Sequence, residues 1–392
     1  MLPRMLCAKA RMNSPRVEEQ YYFVEKGNDP FVAPGTPPNG TQGSPWRTSP
    51  ALKGDLTQHW MGLLDDEIPL PALTIPGTHD SAAYTHNWPF VATQHLKIVG
   101  QLNAGIRYFD LRCGLRADVV EMVHGPTYLG LTLEKVLQHM YTWLFRHPTE
   151  ALIVQIKEDR RSERSSVHFM NAIFDVVTMN SDRWRTANTI PTLGDLRGRI
   201  QLFRRFVGPS LLAYGMDVSE WEDNPADPFT IYTLHDVRIT IQDHYKFPGA
   251  QTLPSLITKK GGNVSELLRR ASNDKDRDHW YINFVSAYEL NVFFQLTPHE
   301  IAVGGYWGFR WIVGMNVRLM AYLTARTPGR ERFGIVAMDF PEQGTDGLVA
   351  SLILTNFEPA IRSTWRSLAG CILMLVLCIA LWLLLDHCAV LR

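Results

Sequence analysis

The chain has 392 residues, 45% of them hydrophobic, and its 39 Lys and Arg balance 39 Asp and Glu. That length holds one large domain or two ordinary ones with a sizeable core, and zero net charge gives no bulk attraction to nucleic acid or to a strongly anionic surface. There is no Lys/Arg tract, zinc-finger spacing or Gly-rich phosphate loop, and of the cysteines only Cys113 falls in the central region, so a nucleic-acid partner, a disulfide framework and a cysteine zinc site are set aside.

Residues 1–55 hold eight prolines among many Gly, Ser, Thr and Asn, with no sustained hydrophobic period, and read as a disordered tail. The first residues lack the apolar run of a secretory signal. From about Trp60 the texture changes. Short apolar segments at 73–75, 108–111, 119–123, 151–156, 200–203, 240–242, 281–284 and 334–338 read as buried strands. Amphipathic stretches at 133–144, after Thr132, and at 167–177 read as helices between them. This alternation predicts one α/β domain over 56–360 with a parallel sheet. A closed (β/α) barrel is the expected form, because His79, Arg112, Lys157, Arg205, Asp243 and Asp339 all come just after strand-like segments, where such barrels build their sites.

Residues 361–392 read as a juxtamembrane segment and anchor. Positions 368–385 are eighteen residues without a charge, with Trp365 and Trp382 near the ends; as a helix they span roughly 27 Å, the depth of a bilayer's hydrocarbon core. Arg362 and Arg366 precede the stretch, which places the domain before it in the cytosol. A single-pass C-terminal anchor is therefore expected, and the charged Asp386 and Arg392 beyond it argue against a GPI-attachment signal.

Two histidines suggest chemistry. Ile75-Pro-Gly-Thr-His-Asp-Ser81 ends a strand and turns, presenting His79 at its exit, and Val123-His-Gly-Pro126 repeats the arrangement with His124. A phosphodiester can be cleaved without a metal when one group takes a proton from the attacking hydroxyl and another gives one to the leaving oxygen, and imidazole does either near neutrality. Taken singly, a histidine after a strand is more often a structural group.

The blocks Ile75–Ser81, Arg107-Tyr-Phe-Asp-Leu-Arg112, Val123-His-Gly-Pro126, Gln155-Ile-Lys-Glu158, the arginine-rich run ending Arg204-Arg205-Phe206, Ile241-Gln-Asp-His-Tyr-Lys246 and Tyr281-Ile-Asn-Phe-Val-Ser286 occur in that order. Together they resemble bacterial-type phosphatidylinositol-specific phospholipase C, the X-domain family of distorted (β/α) barrels. The resemblance implies His79 as general base toward the inositol 2-hydroxyl, oriented by Asp339, and His124 as general acid supported by Asp80. It implies Arg112 as the charge on the phosphate; Lys157, Arg205 and Asp243 as grips on inositol hydroxyls; and Tyr245 against the sugar ring. Arg205 is preferred over Arg204 for its role.

Calcium-dependent members of the wider family supply several oxygen ligands. Here Arg112 stands where a further carboxylate would be expected, and Asp80 follows His79 in place of an amide. No cofactor is therefore expected, since a fixed cation can take a metal's electrostatic part; calcium is the alternative, through Glu158 and Asp159. The implied partner is a phosphatidylinositol-containing membrane, and Trp88 with the Tyr306–Trp311 aromatics are candidate interfacial groups or ordinary core. The leading expectation is cleavage of phosphatidylinositol, or a glycosylated relative, to diacylglycerol and inositol cyclic 1,2-phosphate. The alternatives are a glycerophosphodiester or sphingomyelin phosphodiesterase on the same barrel, and a catalytically silent inositol-lipid-binding protein.

Overall fold

The computed structural model describes residues 56–208, 214–326 and 329–358. The short helix α1 (Leu56–His59) precedes strand β1 (Thr74–Thr78), and α2 (Ile98–Ala104) leads to β2 (Tyr108–Arg116), β3 (Val119–His124) and β4 (Thr127–Thr132). Helix α3 (Leu133–Arg146) precedes β5 (Leu152–Glu163); α4 (Phe169–Thr178), β6 (Trp184–Arg185) and α5 (Leu193–Leu196) precede β7 (Ile200–Arg205). Next come β8 (Met216–Asp217), β9 (Phe229–Tyr232), β10 (Arg238–Gln242), the long α6 (Leu253–Asn273) and β11 (Trp280–Phe284). Two hairpins, β12 (Glu289–Leu290) with β13 (Gln295–Leu296) and β14 (Gly304–Trp307) with β15 (Arg310–Val313), flank α7 (Pro298–Ala302). Then follow α8 (Met315–Thr324), β16 (Gly334–Met338) and α9 (Leu348–Leu354).

The main sheet runs β6-β7-β5-β2-β1-β16-β11-β10-β9, parallel throughout except at β9. β1 and β16 lie at its centre and are buried at every position, as expected for parallel strands covered on both faces. Gly77 is required in β1: a Cβ there would come within 2.7 Å of the Tyr108 ring on the neighbouring strand. Pro76 has no N–H to give, and the β1–β2 ladder begins only at Gly77 opposite Tyr108.

The sheet curls into a barrel that hydrogen bonds do not close. Arg205 at the end of β7 reaches Asp243, just past β10, at 3.5 Å, and Phe203 of β7 packs edge-on against Trp280 of β11 at 5.3 Å. Side chains thus meet across the seam. Among the described residues, however, no ladder joins β7 to β10. The free edge of β7 is taken by the short β6 and β8, and that of β10 by the antiparallel β9. The closed form read from the strand-exit residues is corrected accordingly, and the sheet is the distorted barrel that the resemblance implied.

The helices follow from their sequences. In α3, Thr132 accepts the Lys135 N–H as N-cap, and Leu133, Val136, Leu137, Met140 and Leu144 face the core at helical spacing. No predicted helix covers α6, because Gly261-Gly262 at its middle weakens the helical signal; packing of Leu253, Leu256, Ile257, Val264 and Leu268 overrides it.

A second correction concerns the membrane. No described helix is long and apolar enough to cross one. The predicted span 368–385 and the predicted disordered tail 1–55 lie outside the described residues. The transmembrane helix is thus withdrawn from the fold class, and with it the single-pass anchor and the cytosolic orientation that depended on it.

Candidate active site

Strand register assembles the site. β1 pairs with β16 as Thr78 opposite Met338, so the next residue on each, His79 and Asp339, emerge side by side although 260 positions apart. On the other flank Arg112 stands opposite Lys157, and Lys157 opposite Arg205, which sets three cations in a row across β2, β5 and β7.

His79 is held from both ring nitrogens. Nδ1 lies 2.8 Å from the Asp339 carboxylate and Nε2 lies 2.8 Å from Arg112 Nη2. A guanidinium only donates, so Nε2 accepts and the ring proton sits on Nδ1, given to Asp339. Burial, followed by the charge of Arg112, holds the imidazole well below its ordinary pKa, which keeps it neutral at pH 7. Gln94 donates to the backbone carbonyls of His79 and Met338 at 2.8 and 2.9 Å, clamping the two strand ends together.

Asp80 turns the chain away with φ +41°, a left-handed conformation that Asp adopts more readily than most residues. Its N–H is bonded to Asp110 Oδ2 at 3.1 Å. Its carboxylate is fully buried and accepts no hydrogen bond from the described residues. It lies 3.3 Å from His124 Nδ1 and 3.7 Å from Arg112 Nε. Burial pushes its pKa up to about 6, against the pull of His124 and Arg112. His124 Nδ1 also lies 2.8 Å from the Val91 carbonyl; a carbonyl can only accept, so Nδ1 carries a proton and Nε2 is left as the exchangeable nitrogen.

Arg112 is the hub. Beyond His79 and Asp80 it reaches Asp110 at 3.3 Å. Burial alone would lower its pKa, but Asp110, Asp80, Asp159 and Asp243 hold it well above the usual value. Asp110 is itself fixed by Gln155 at 2.8 Å, and Gln155 accepts from the Tyr108 hydroxyl at 3.0 Å.

The remaining predicted residues divide between grip and rim. Lys157 is paired with Asp159, and burial lowers its pKa. Arg205 lies flat on Trp221, 4.0 Å from the ring centroid, and its Nη1 has no hydrogen-bond partner among the described residues. Trp221 donates to Asp243 at 2.9 Å. Arg204 points the other way, to Asp217 and the Phe206 carbonyl, so of the two adjacent arginines Arg205 faces the site. Tyr245 stands further out, bonded to Asp223 at 2.9 Å and stacked on Tyr288.

The structure therefore brings His79, Asp80, Arg112, His124, Lys157, Arg205, Asp243 and Asp339 into one constellation, with Tyr245 at its edge. Residues not singled out as functional from sequence are Gln94, Asp110, Gln155, Trp221 and Lys260. Asp110 and Gln155 sat inside quoted blocks and could have been found there; Gln94, Trp221 and Lys260 carry no local signal. Asp159, a candidate calcium ligand, is not a solvated group: it pairs with Lys157 and accepts the Gly125 N–H at 3.1 Å. Among the described residues no group of three or more His, Cys, Asp or Glu is disposed to hold a metal ion.

Residues 73–206 match the family model described as phosphatidylinositol-specific phospholipase C, X domain. The chain is 28% identical over 315 residues to a 1-phosphatidylinositol phosphodiesterase of Staphylococcus aureus (strain Newman), covering 76% of this chain and 94% of that one. It is 28% identical over 306 residues to a 1-phosphatidylinositol phosphodiesterase of Listeria monocytogenes, covering 74% and 83%. Among solved structures, a phosphatidylinositol-specific phospholipase C from Staphylococcus aureus is similar in fold at a TM-score of 0.66 and 24% identity, over 78% of this chain and 99% of that one. Asp243, Tyr245 and Asp339 lie beyond the X-domain match and join the site through β10 and β16. Residues 73–206 thus resemble the X domain of phosphatidylinositol-specific phospholipase C, and the chain as a whole is similar in sequence to bacterial 1-phosphatidylinositol phosphodiesterases and in fold to a solved phospholipase of that kind.

Proposed function

We propose that this protein is a phosphodiesterase that cleaves phosphatidylinositol, or a glycosylated relative, by an intramolecular attack between two histidines. The observation that carries the reading is the pairing of a neutral His79, backed by Asp339, with a His124 whose Nδ1 is committed to Val91 and Asp80. The names of the bacterial relatives support the same reaction class.

In this mechanism the inositol 2-hydroxyl replaces Arg112 as the partner of His79 Nε2 and gives up its proton there. The oxygen attacks phosphorus, and the guanidinium released from His79 neutralises the growing phosphoryl charge. Imidazolium at His79 is then stabilised by Asp339. The bond to the diacylglycerol oxygen breaks as His124 Nε2 delivers a proton, with Asp80 stabilising the charged ring beforehand. The products are diacylglycerol and inositol cyclic 1,2-phosphate. The attack is favoured because the nucleophile belongs to the same headgroup. Lys157, Arg205 and Asp243 grip the other inositol hydroxyls, with Tyr245 as a flat wall.

On this reading no metal is needed, because Arg112 supplies the cation at the phosphate, with calcium as the alternative. The decisive assay incubates the full chain with phosphatidylinositol in EDTA. Cyclic inositol phosphate should be released, and His79→Ala and His124→Ala should each lose about 10²–10⁴-fold in kcat. Activity that requires added calcium would replace the metal-free scheme, and activity surviving both substitutions would replace the histidines.

A further inference from the structure

One buried charge lies outside the mechanism. Lys260 is fully buried on the inner face of α6. It has no salt-bridge partner among the described residues: its ammonium donates to two neutral acceptors, Gln242 Oε1 at 3.0 Å and the His244 carbonyl at 2.8 Å. Those acceptors flank Asp243. The same patch is tied further by Asn263 of α6, bonded to His244 Nδ1 at 3.0 Å, and by Gln242, which donates to Asn283 and to the Phe284 carbonyl. A buried lysine held only by neutral groups is a costly arrangement. It needs a compensating role.

The charges that reach Lys260 supply one. Asp243 past β10 and Asp339 past β16 both favour its protonated form, and burial opposes them, bringing its pKa down to about 7. The influence is mutual. Burial pushes the Asp339 carboxyl well above the ordinary carboxylate range and the Lys260 charge pulls against that, while at His79 the Lys260 charge adds to burial and Arg112 in holding the imidazole down. Asp339 Oδ2 has no hydrogen-bond partner among the described residues. The other charged groups around His79 are Arg112, Lys157 and His124, and those around Asp339 are Asp80, Asp110 and Arg112.

We propose that Lys260 is a positioning residue of the active site: its ammonium, bonded to the two residues that flank Asp243, braces the end of β10, and its charge bears on the Asp339–His79 pair. The role rests on the reaction proposed above, and it extends the site to α6. Catalysis does not require Lys260 to touch substrate. On the acid side of neutrality, where Lys260 is charged, it lets the base stay free.

The test compares the full chain with Lys260→Met, Lys260→Gln and the charge-keeping Lys260→Arg. Two readouts are needed: the pH titration of the His79 imidazole by NMR, assigned by its loss in His79→Gln, and the pH profile of kcat/KM on phosphatidylinositol. Both neutral variants should show His79 titrating at higher pH and the acid limb of kcat/KM moving with it. A pKa raised by one lowers the basic fraction on that limb about tenfold. Lys260→Arg should move neither as far. Neutral variants that fold but leave His79 titrating as before would overturn the proposal; so would failure of both to fold, which would make Lys260 a strut. If the unaltered chain releases no inositol phosphate, the proposed reaction falls, while the NMR titration still decides the role of Lys260.

Discussion

At Asp80 the demands of chemistry and of stability oppose each other. The carboxyl is buried with no hydrogen bond from the described residues, and its folded pKa of about 6 lies above an aspartate's ordinary 3.8. A group that binds its proton more tightly when folded stabilises the fold at low pH, and that contribution is lost as pH rises through about 6. Keeping Asp80 ionised at pH 7 therefore costs roughly 3 kcal/mol. Asp80→Asn should raise unfolding free energy at pH 7 by up to that amount and leave it unchanged at about pH 3, below the unfolded pKa, as urea titrations would measure. It should also lower kcat, because His124 loses the carboxylate 3.3 Å from its Nδ1. Equal stability gains at both pH values would refute the burial argument. The same reasoning applies to His79, where burial and Arg112 select the neutral base before substrate arrives.

On the proposed reading, two hairpins are placed to bring the site to lipid. β12 and β13 present Val292 and Phe293 at their tip, and β14 and β15 present Phe309, all three largely exposed. Phe294 packs against Trp307 at 5.1 Å, so the two hairpins touch. Tyr288, at the root of the first, is bonded to the Tyr245 carbonyl at 3.2 Å and stacked on its ring. The apolar tips are thus continuous with the proposed inositol wall. Trp88, on the loop after His79, is also exposed. Of the two readings open for the aromatics, core and interface, exposure favours the interface for Trp88, Tyr306 and Phe309. Phe293→Asp combined with Phe309→Asp should weaken binding to phosphatidylinositol vesicles at least tenfold, on the order of 1.4 kcal/mol, and spare hydrolysis of a short-chain soluble substrate. Sedimentation with vesicles would check it, and unchanged binding would place the lipid contact elsewhere. In α6, Asn263-Val-Ser265 has the form of a glycosylation sequon, but Asn263 is bonded to His244 and Ser265 is buried. The Asn263 amide is thus engaged within the fold.

Across the whole molecule, the end of the barrel opposite the site is closed by a buried ion pair. Arg107, just before β2, meets Glu150 at 2.8 Å with both side chains inaccessible. Arg107 also donates to the carbonyls of Thr57, Gln58, Leu102 and Ile106, and lies over the Trp143 ring at 4.7 Å. Glu150 in turn accepts from the Met61 and Gly62 N–H groups. One cluster therefore ties α1, α2 and the starts of β2 and β5 together. Removing one partner strands a buried charge and several carbonyls, so Arg107→Met should cost about 3–5 kcal/mol of unfolding free energy. The double variant with Glu150→Gln should cost less than the sum of the two singles. Additive losses would show that the cluster does not act as a unit.

The sequence by itself determined the long parallel strands β1, β2, β5, β7, β10, β11 and β16, because parallel strands buried on both faces must be short apolar runs whatever their neighbours, whereas the short edge strands and hairpins carried no such signal. It also determined which chemistry was available: His79 and His124 after strands, and Arg112 where a carboxylate could have been. The tertiary structure alone decided how these groups meet. Asp339 becomes the partner of His79 only through the β1–β16 register, and Arg205 is separated from Arg204 only by which face of β7 each occupies. It also opened the barrel, since the short β6 and β8 and the antiparallel β9 occupy the edges that closure would need. Lys260 and Gln94 had no sequence signal at all. Their significance is the distance to residues far away in the chain, and distance exists only once the chain has folded.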